Sequence, residues 1–353
     1  MRKHFLYLVI VILVLAALPR SIEILSGNYL FGFDQGLFYE DVKKIVVDRK
    51  LTLIGSVTGG QGGLFQGPGW YYLLSLVFII WSGDPYGGMV LMLSIGLLTV
   101  LLSIYFGSKM FGETTGLLIG FLVAISPAVV AQSRFIWPPF PVSFLTVFFL
   151  YFIFKVFQRN QAYLPLGAFV LGLMGHFELA TSGTFFTQFL LFLPVLLLRK
   201  FVSLKYAFLS LASFALALSP LVAFNFRHDN IIVQGILNLS KSEAEHQIFS
   251  TYFKQIILNH LEVFKFNFLS VFPQNQLLWP VILGLMALGT FLYLKDNRLK
   301  PENKWFVAYL VTNPLALFGV FMFYLSPMWE WWILQLIILY IFAFGIMSTY
   351  LWN

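Results

Sequence analysis

The chain has 353 residues, of which 59% are hydrophobic and only 10% charged. Soluble domains carry about 25% charged residues, so a water-soluble globular protein is excluded and a polytopic membrane protein is indicated. No cysteine is present, which excludes disulfides and thiolate metal sites or nucleophiles, and the net charge of +7 needs no nucleic-acid partner, because membrane proteins gather Lys and Arg on their cytoplasmic side.

The start, Arg2-Lys3-His4 before the apolar run Phe5–Leu18, imitates a signal peptide but reads as an uncleaved anchor with its N-terminus cytoplasmic. The first outer loop then spans 26–69. Within it Phe38, Val42, Ile45 and Val46 share one helical face, while Glu40, Asp41, Lys43, Lys44 and Asp48 fall mostly elsewhere. This predicts a short amphipathic helix on the membrane surface. Asp34 precedes that helix and could cap it. The stretch "GSVTGGQGGLFQGPGW", residues 55–70, lacks the Gly-Lys-[Ser/Thr] ending of a phosphate-binding loop. Its glycines permit close backbone approach to a ligand or lipid, or form a flexible connector.

Further along, 70–81 is apolar but would reach only about 18 Å as a helix, and it is expected to be re-entrant or interfacial. The runs 89–106, 113–130 and 142–154 follow, then a hairpin from segments near 162–176 and 183–198 with "HFELATSG" at its tip. After the run 207–224 comes a long outer loop, 226–276. There "SEAE" at 242–245 offers a capping box and Ile248, Tyr252, Ile256 and Phe264 continue a second surface helix. About ten spans are expected, in a single membrane domain covering 1–353 with no C-terminal soluble domain. With the basic clusters at Arg2/Lys3, Lys109, Lys155/Arg159, Arg199/Lys200/Lys205 and Lys295/Arg298/Lys300/Lys304 inside, the cytoplasmic face carries 12 bases and three acids. The turn 131–139, the tip 176–183, the loop 226–276 and "SPMWEWW" at 326–332 then fall on the outer face.

The order "FDQG…EDVKKIV…LTLIG…GGLFQGPGWYYLL", followed by "SRFIWPPFPVSF", "GHFE" and "PLVAFNFRHDN", resembles the GT-C glycosyltransferases. Within them it is most similar to family 39-like bacterial members, in the branch of protein O-mannosyltransferases and the aminoarabinose transferase of lipid A. The sequence departs from that pattern at Gln35, where many relatives carry a second acid. It also departs at Gln66, at Pro138 or Pro139, at His176-Phe177 and at Asn225. The resemblance implies an all-α, GT-C-like bundle with surface helices in the outer loops. It also implies a hexosyltransferase, mannosyltransferase-like, which moves a sugar from a polyprenyl-phosphate carrier to a glycan, lipid or protein acceptor on the extracytoplasmic face.

Such a reaction needs a base for the acceptor's proton and cations for the departing lipid phosphate. The resemblance makes Asp34 the base, and one carboxylate without a covalent partner fits single displacement with inversion. Glu40 and Asp41 could position the acceptor or be plain surface charges. For the phosphate the candidates are Arg134, His176, Arg227 and His228; the alternatives are headgroup snorkelling for Arg134, a satisfied structural histidine for His176 and span anchoring for the last two. Trp137 could stack on a sugar or, with Trp329, Trp331 and Trp332, form an interfacial belt. No Asp-x-Asp or metal-spaced His/carboxylate cluster occurs, so no metal and no cofactor are expected. A transporter or flippase is the rival reading, although paired intramembrane charges and matching broken helices are not evident. A non-catalytic component of envelope-glycan assembly is another.

Overall fold

The computed structural model describes residues 2–58, 63–238, 249–272, 278–324 and 327–352. The described chain is helical, with one isolated bridge between Val57 and Phe65. In order the helices are α1 (Arg2–Ser26), α2 (Phe33–Val46), α3 (Gly69–Ile80), α4 (Pro85–Phe111), α5 (Glu113–Ile125), α6 (Pro127–Gln132), α7 (Val142–Phe157) and α8 (Tyr163–Met174). Then come α9 (Leu179–Leu198), α10 (Leu204–Ala217), α11 (Ser219–Arg227), α12 (Ile231–Asn238), α13 (Phe249–Val271), α14 (Leu278–Lys295), α15 (Pro301–Phe321) and α16 (Gln335–Trp352), with a 3-10 turn at Glu330–Ile333 before the last. This is an integral, multi-pass membrane protein.

Among the described residues six helices are long and apolar enough to span a bilayer: α1, α4, α9, α14, α15 and α16. A seventh span is possible if α10 and α11, bent by 67° at their junction, count as one. The expected ten is therefore too many by this measure. The remaining apolar windows of the sequence fold as helices of 12 to 16 residues, α3, α5, α7 and α8. Hydropathy is continuous across Ser126 and Leu218, but the backbone is not, because Pro127 and Pro220 each begin a new helix.

The break after α5 shows how such an interruption is tolerated in a dry interior. Pro127 has no N–H to offer the Val123 carbonyl, four residues back. Arg20, on α1 and fully buried, donates instead to Val123 O (3.1 Å), Ala124 O (2.7 Å) and Ser133 Oγ (3.2 Å). A guanidinium thus replaces the missing backbone donors. Helix α16 is the central element, buried along most of its length against α5, α7, α13, α14 and α15. Helices α4 and α5 meet through small residues: a Cβ on Gly116 would lie 2.4 Å from the Ser108 backbone nitrogen.

Two ends of the bundle are chemically distinct. At one, Arg159 donates to the carbonyls of Arg199 (2.8 Å) and Lys200 (2.9 Å), Arg199 lies over Trp305, and Phe111 packs on Phe154 and Phe306. The basic clusters around Lys109, Lys155, Lys200 and Lys304 therefore share one end. At the other end lies the amphipathic helix α2, which buries Phe38, Val42 and Ile45 and exposes Glu40, Lys43 and Lys44. Helix α3 begins here, at Gly69 against His176. The turn after α3 returns to the same end, where Tyr39 Oη donates to Pro85 O (3.4 Å). Its 12 residues do not cross the bundle. The expected capping box at Ser242–Glu245 lies outside the described residues; downstream, α13 occupies 249–271.

Candidate functional site

The segments singled out in the sequence converge at the α2 end. Gln35 joins the first two: its Oε1 accepts from Gly32 N–H (2.8 Å) and its Nε2 donates to Ile136 O (3.1 Å). Gly32 is thus the cap residue of α2, not Asp34. Asp34 stands in the first turn with an exposed carboxylate that has no hydrogen-bond or ion-pair partner among the described residues. Behind it, Phe38 packs on Trp70 (6.5 Å between ring centres) and Trp137 (5.9 Å), and Trp137 meets Trp331 edge-on (6.4 Å). Trp137 is thereby half-buried in an aromatic layer that links α2, the 133–141 turn and the 329–332 turn.

The candidate cations fare differently from one another. Arg134 is held by a bidentate ion pair to Glu23 near the end of α1, with Nε to Oε2 at 3.1 Å and Nη2 on Oε1. His176 is buried: its Nδ1 accepts from Gly69 N–H (3.1 Å) and its Nε2 donates to Ala217 O (2.7 Å). That pairing fixes the neutral tautomer, and burial pushes the imidazole below its usual pKa. Both ring nitrogens are thus engaged by backbone. Gly67 and Gly69 are required beside it, since a Cβ on Gly67 would lie 2.4 Å from His176 Nδ1. Arg227, in contrast, is exposed at the end of α11 and has no hydrogen-bond or ion-pair partner among the described residues. Its neighbour His228 donates from Nδ1 to Phe224 O (2.9 Å) and stacks on the Phe224 ring at 4.0 Å, so Nε2 faces outward from that contact. On α2, Glu40 is exposed and Asp41 pairs with Lys44 (2.8 Å) while also interacting with Tyr71.

One residue that sequence reasoning did not place in the site is Glu178. Residues 55–58 and 63–67 pair as the two arms of a small hairpin, with Gly55 N–H to Gln66 O (2.7 Å) and Thr58 N–H to Leu64 O (2.9 Å). This hairpin lies against the 175–178 turn. The Glu178 carboxylate, 1% exposed, accepts from Thr58 Oγ1 (3.2 Å), Gln66 Nε2 (3.4 Å) and Ala180 N–H (3.2 Å), the last capping α9. Burial raises its pKa to about 7. A Glu immediately before an apolar helical run was the available signal, and it reads equally as an ordinary cap.

Beside Glu178 opens an apolar groove of about 670 Å³. Thr58 and Leu64 of the hairpin form one wall, Phe186 and Thr187 of α9 another, and Phe226, Ile236 and Phe323 close the rest. Among the described residues its lining carries no Asp, Glu, Lys, Arg or His. Asn225 at its edge accepts from Ile232 N–H (3.0 Å) and Val233 N–H (3.3 Å), which ties α12 to α11. No group of three or more potential metal-ligating acids and histidines occurs among the described residues.

No protein-family model and no curated protein sequence matches the chain. Among solved structures, ArnT from Cupriavidus metallidurans bound to undecaprenyl phosphate superposes with a TM-score of 0.66 at 12% identity, over 98% of this chain and 60% of ArnT. ArnT in the apo state gives 0.65 at 12% identity, over 99% and 60%. An archaeal oligosaccharyltransferase, AglB from Archaeoglobus fulgidus in complex with an inhibitory peptide and a dolichol-phosphate, overlaps more loosely, with a TM-score of 0.49 at 16% identity over 96% of this chain and 50% of AglB. The chain spans about 60% of the length of ArnT, and over that length it has the ArnT fold.

Proposed function

We propose that this protein is a membrane glycosyltransferase that takes a sugar from a polyprenyl-phosphate carrier and passes it to an acceptor on the extracytoplasmic face. One observation carries the reading. At the α2 end of the bundle lie both the exposed Asp34 carboxylate, without a partner among the described residues, and an apolar groove of about 670 Å³ that Thr58 and Leu64 help to line. A groove lined mainly by apolar side chains, with Thr58, Thr187 and Asn225 among its few polar members, suits an isoprenoid chain. ArnT, which shares the fold, was solved with undecaprenyl phosphate bound.

In this reading Asp34 withdraws the proton from the acceptor hydroxyl as that oxygen attacks the anomeric carbon, and the carbon–oxygen bond to the lipid phosphate breaks with inversion. Arg227 and His228, next to the groove lining at Phe226, receive the phosphate, the first through its two-pronged guanidinium and the second through Nε2. Arg134 is already neutralised by Glu23, and its role is to fix the 133–141 turn to α1. Its availability to phosphate would require that pair to open. Glu40 and Asp41 on α2, one to two turns from Asp34, border the acceptor's approach, and Trp137 offers an apolar face for a sugar ring.

The direct test is binding of undecaprenyl phosphate to the purified protein in nanodiscs. The wild type is expected to bind it saturably. Arg227→Ala should weaken binding about tenfold to a hundredfold, the value of one or two charge-assisted hydrogen bonds. Absence of saturable binding by the wild type would overturn the reading.

A further inference from the structure

Glu178 is the one fully buried carboxylate at the site end among the described residues, and the proposed reaction does not use it. All three of its partners are donors. Two of them, Thr58 and Gln66, belong to the two arms of the hairpin, and the third, Ala180 N–H, belongs to the first turn of α9. Thr58 and Ala180 also line the groove. A single side chain therefore joins the two groove walls at their base. Gln66 extends the connection, since its Oε1 accepts from Ser56 Oγ (3.1 Å), and Ser56 and Asp41 both interact with Tyr71.

We infer that Glu178 is a positioning residue that fastens the paired arms 55–58 and 63–67 to α9, and that this attachment sets whether the groove is walled and able to retain an isoprenoid chain. The inference rests on the groove being the carrier-lipid site, but the attachment itself can be tested without lipid.

The attachment has a built-in pH dependence. With the hairpin closed, burial holds the Glu178 pKa near 7, against an ordinary 4.5. When the hairpin opens, water restores the ordinary value. Closure is accordingly favoured by protonation, in full below pH 4.5, and that advantage is lost as pH rises through 7. Among the described residues no charged side chain is a hydrogen-bond or ion-pair partner of Glu178. On its own turn lies His176, neutral and bound to backbone at both nitrogens. The hairpin faces it with Ser56, Thr58 and Gln66, none of which titrates, and Asp41 and Tyr71 lie beyond Gln66. Among the described residues the groove lining brings no charged side chain.

Hydrogen exchange of the 55–58 and 63–67 amides, read by mass spectrometry at pH 6 and pH 8 and corrected for the intrinsic rate, tests it. In the wild type the protection of these amides should fall roughly tenfold between the two pH values, the change that linkage gives for a pKa moving from 4.5 to about 7. Glu178→Gln, which does not titrate, should show equal protection at both. Thr58→Val, which removes a hairpin-side donor and leaves the α9 cap in place, should lower protection at both pH values. A wild-type protection that does not change, or parallel profiles in the wild type and Glu178→Gln, would overturn the inference. Undecaprenyl phosphate binding is then measured on the same variants and should weaken in step with protection. An intact hairpin response with no lipid binding by any version would instead fault the carrier-lipid assignment of the groove.

Discussion

At the scale of single residues, Asp34 and His176 make opposite predictions. Asp34 is exposed, does not cap α2 and has no partner among the described residues, so Asp34→Asn removes a base and little else. Turnover is expected to fall by roughly 10² to 10⁴, while thermal stability and lipid-phosphate binding stay near wild type. Near-normal turnover would return Asp34 to the status of a surface charge. His176, by comparison, holds the 67–69 backbone to the carbonyl end of α10. His176→Ala should cost about 1–3 kcal/mol for each buried backbone group it orphans, measurable as a lowered midpoint of thermal unfolding in detergent. Its pKa is depressed in the folded state, so the stability it gives is present above the ordinary histidine pKa, near 6.5, and fades as pH falls below it. A melting temperature that does not drop between pH 7 and pH 5 more in the wild type than in His176→Ala would contradict this. Neither the Arg134–Glu23 pair nor the burial of Glu178 was visible from the residues alone. The first joins positions 111 apart, and the second depends on a hairpin packing over a helix cap.

At the scale of elements, the amphipathic helix of the first loop was legible because its apolar positions recur at helical spacing, and α2 buries Phe38, Val42 and Ile45 as that spacing requires. The short reach of 70–81 was legible for a simpler reason, since twelve residues cannot extend across the hydrocarbon. The number of spans was not, because hydropathy averages across Pro127 and Pro220 without registering the backbone breaks. Those breaks depend on borrowed donors. Arg20→Met, which keeps the length and loses the donors, should leave the Val123 and Ala124 carbonyls unpaired. The expected result is a loss of about 1–3 kcal/mol per carbonyl, seen as a lower unfolding midpoint. An unfolding midpoint equal to wild type would show that the break is satisfied without the guanidinium.

At the scale of the whole molecule, the charges predicted to be cytoplasmic gather at one end of the bundle and the candidate site residues at the other. The sequence carried this because each basic cluster sits between apolar runs, so segregation by charge and segregation by space coincide. The chain contains no native cysteine, and single cysteines beside Arg227 and Arg298 should therefore be labelled by an impermeant maleimide in intact cells only at the first. The fold shared with ArnT supplies the frame, and the reaction is proposed from the residues at the site end. The most direct test of that proposal supplies the wild type and Asp34→Asn, in liposomes, with a panel of radiolabelled polyprenyl-phosphate sugars and an envelope extract as acceptor. The account predicts that the wild type moves label from at least one lipid-linked sugar to the acceptor fraction, while Asp34→Asn binds the same donor and leaves the label on the lipid. Transfer by Asp34→Asn at the wild-type rate, or no transfer from any lipid-linked sugar by the wild type, would contradict it.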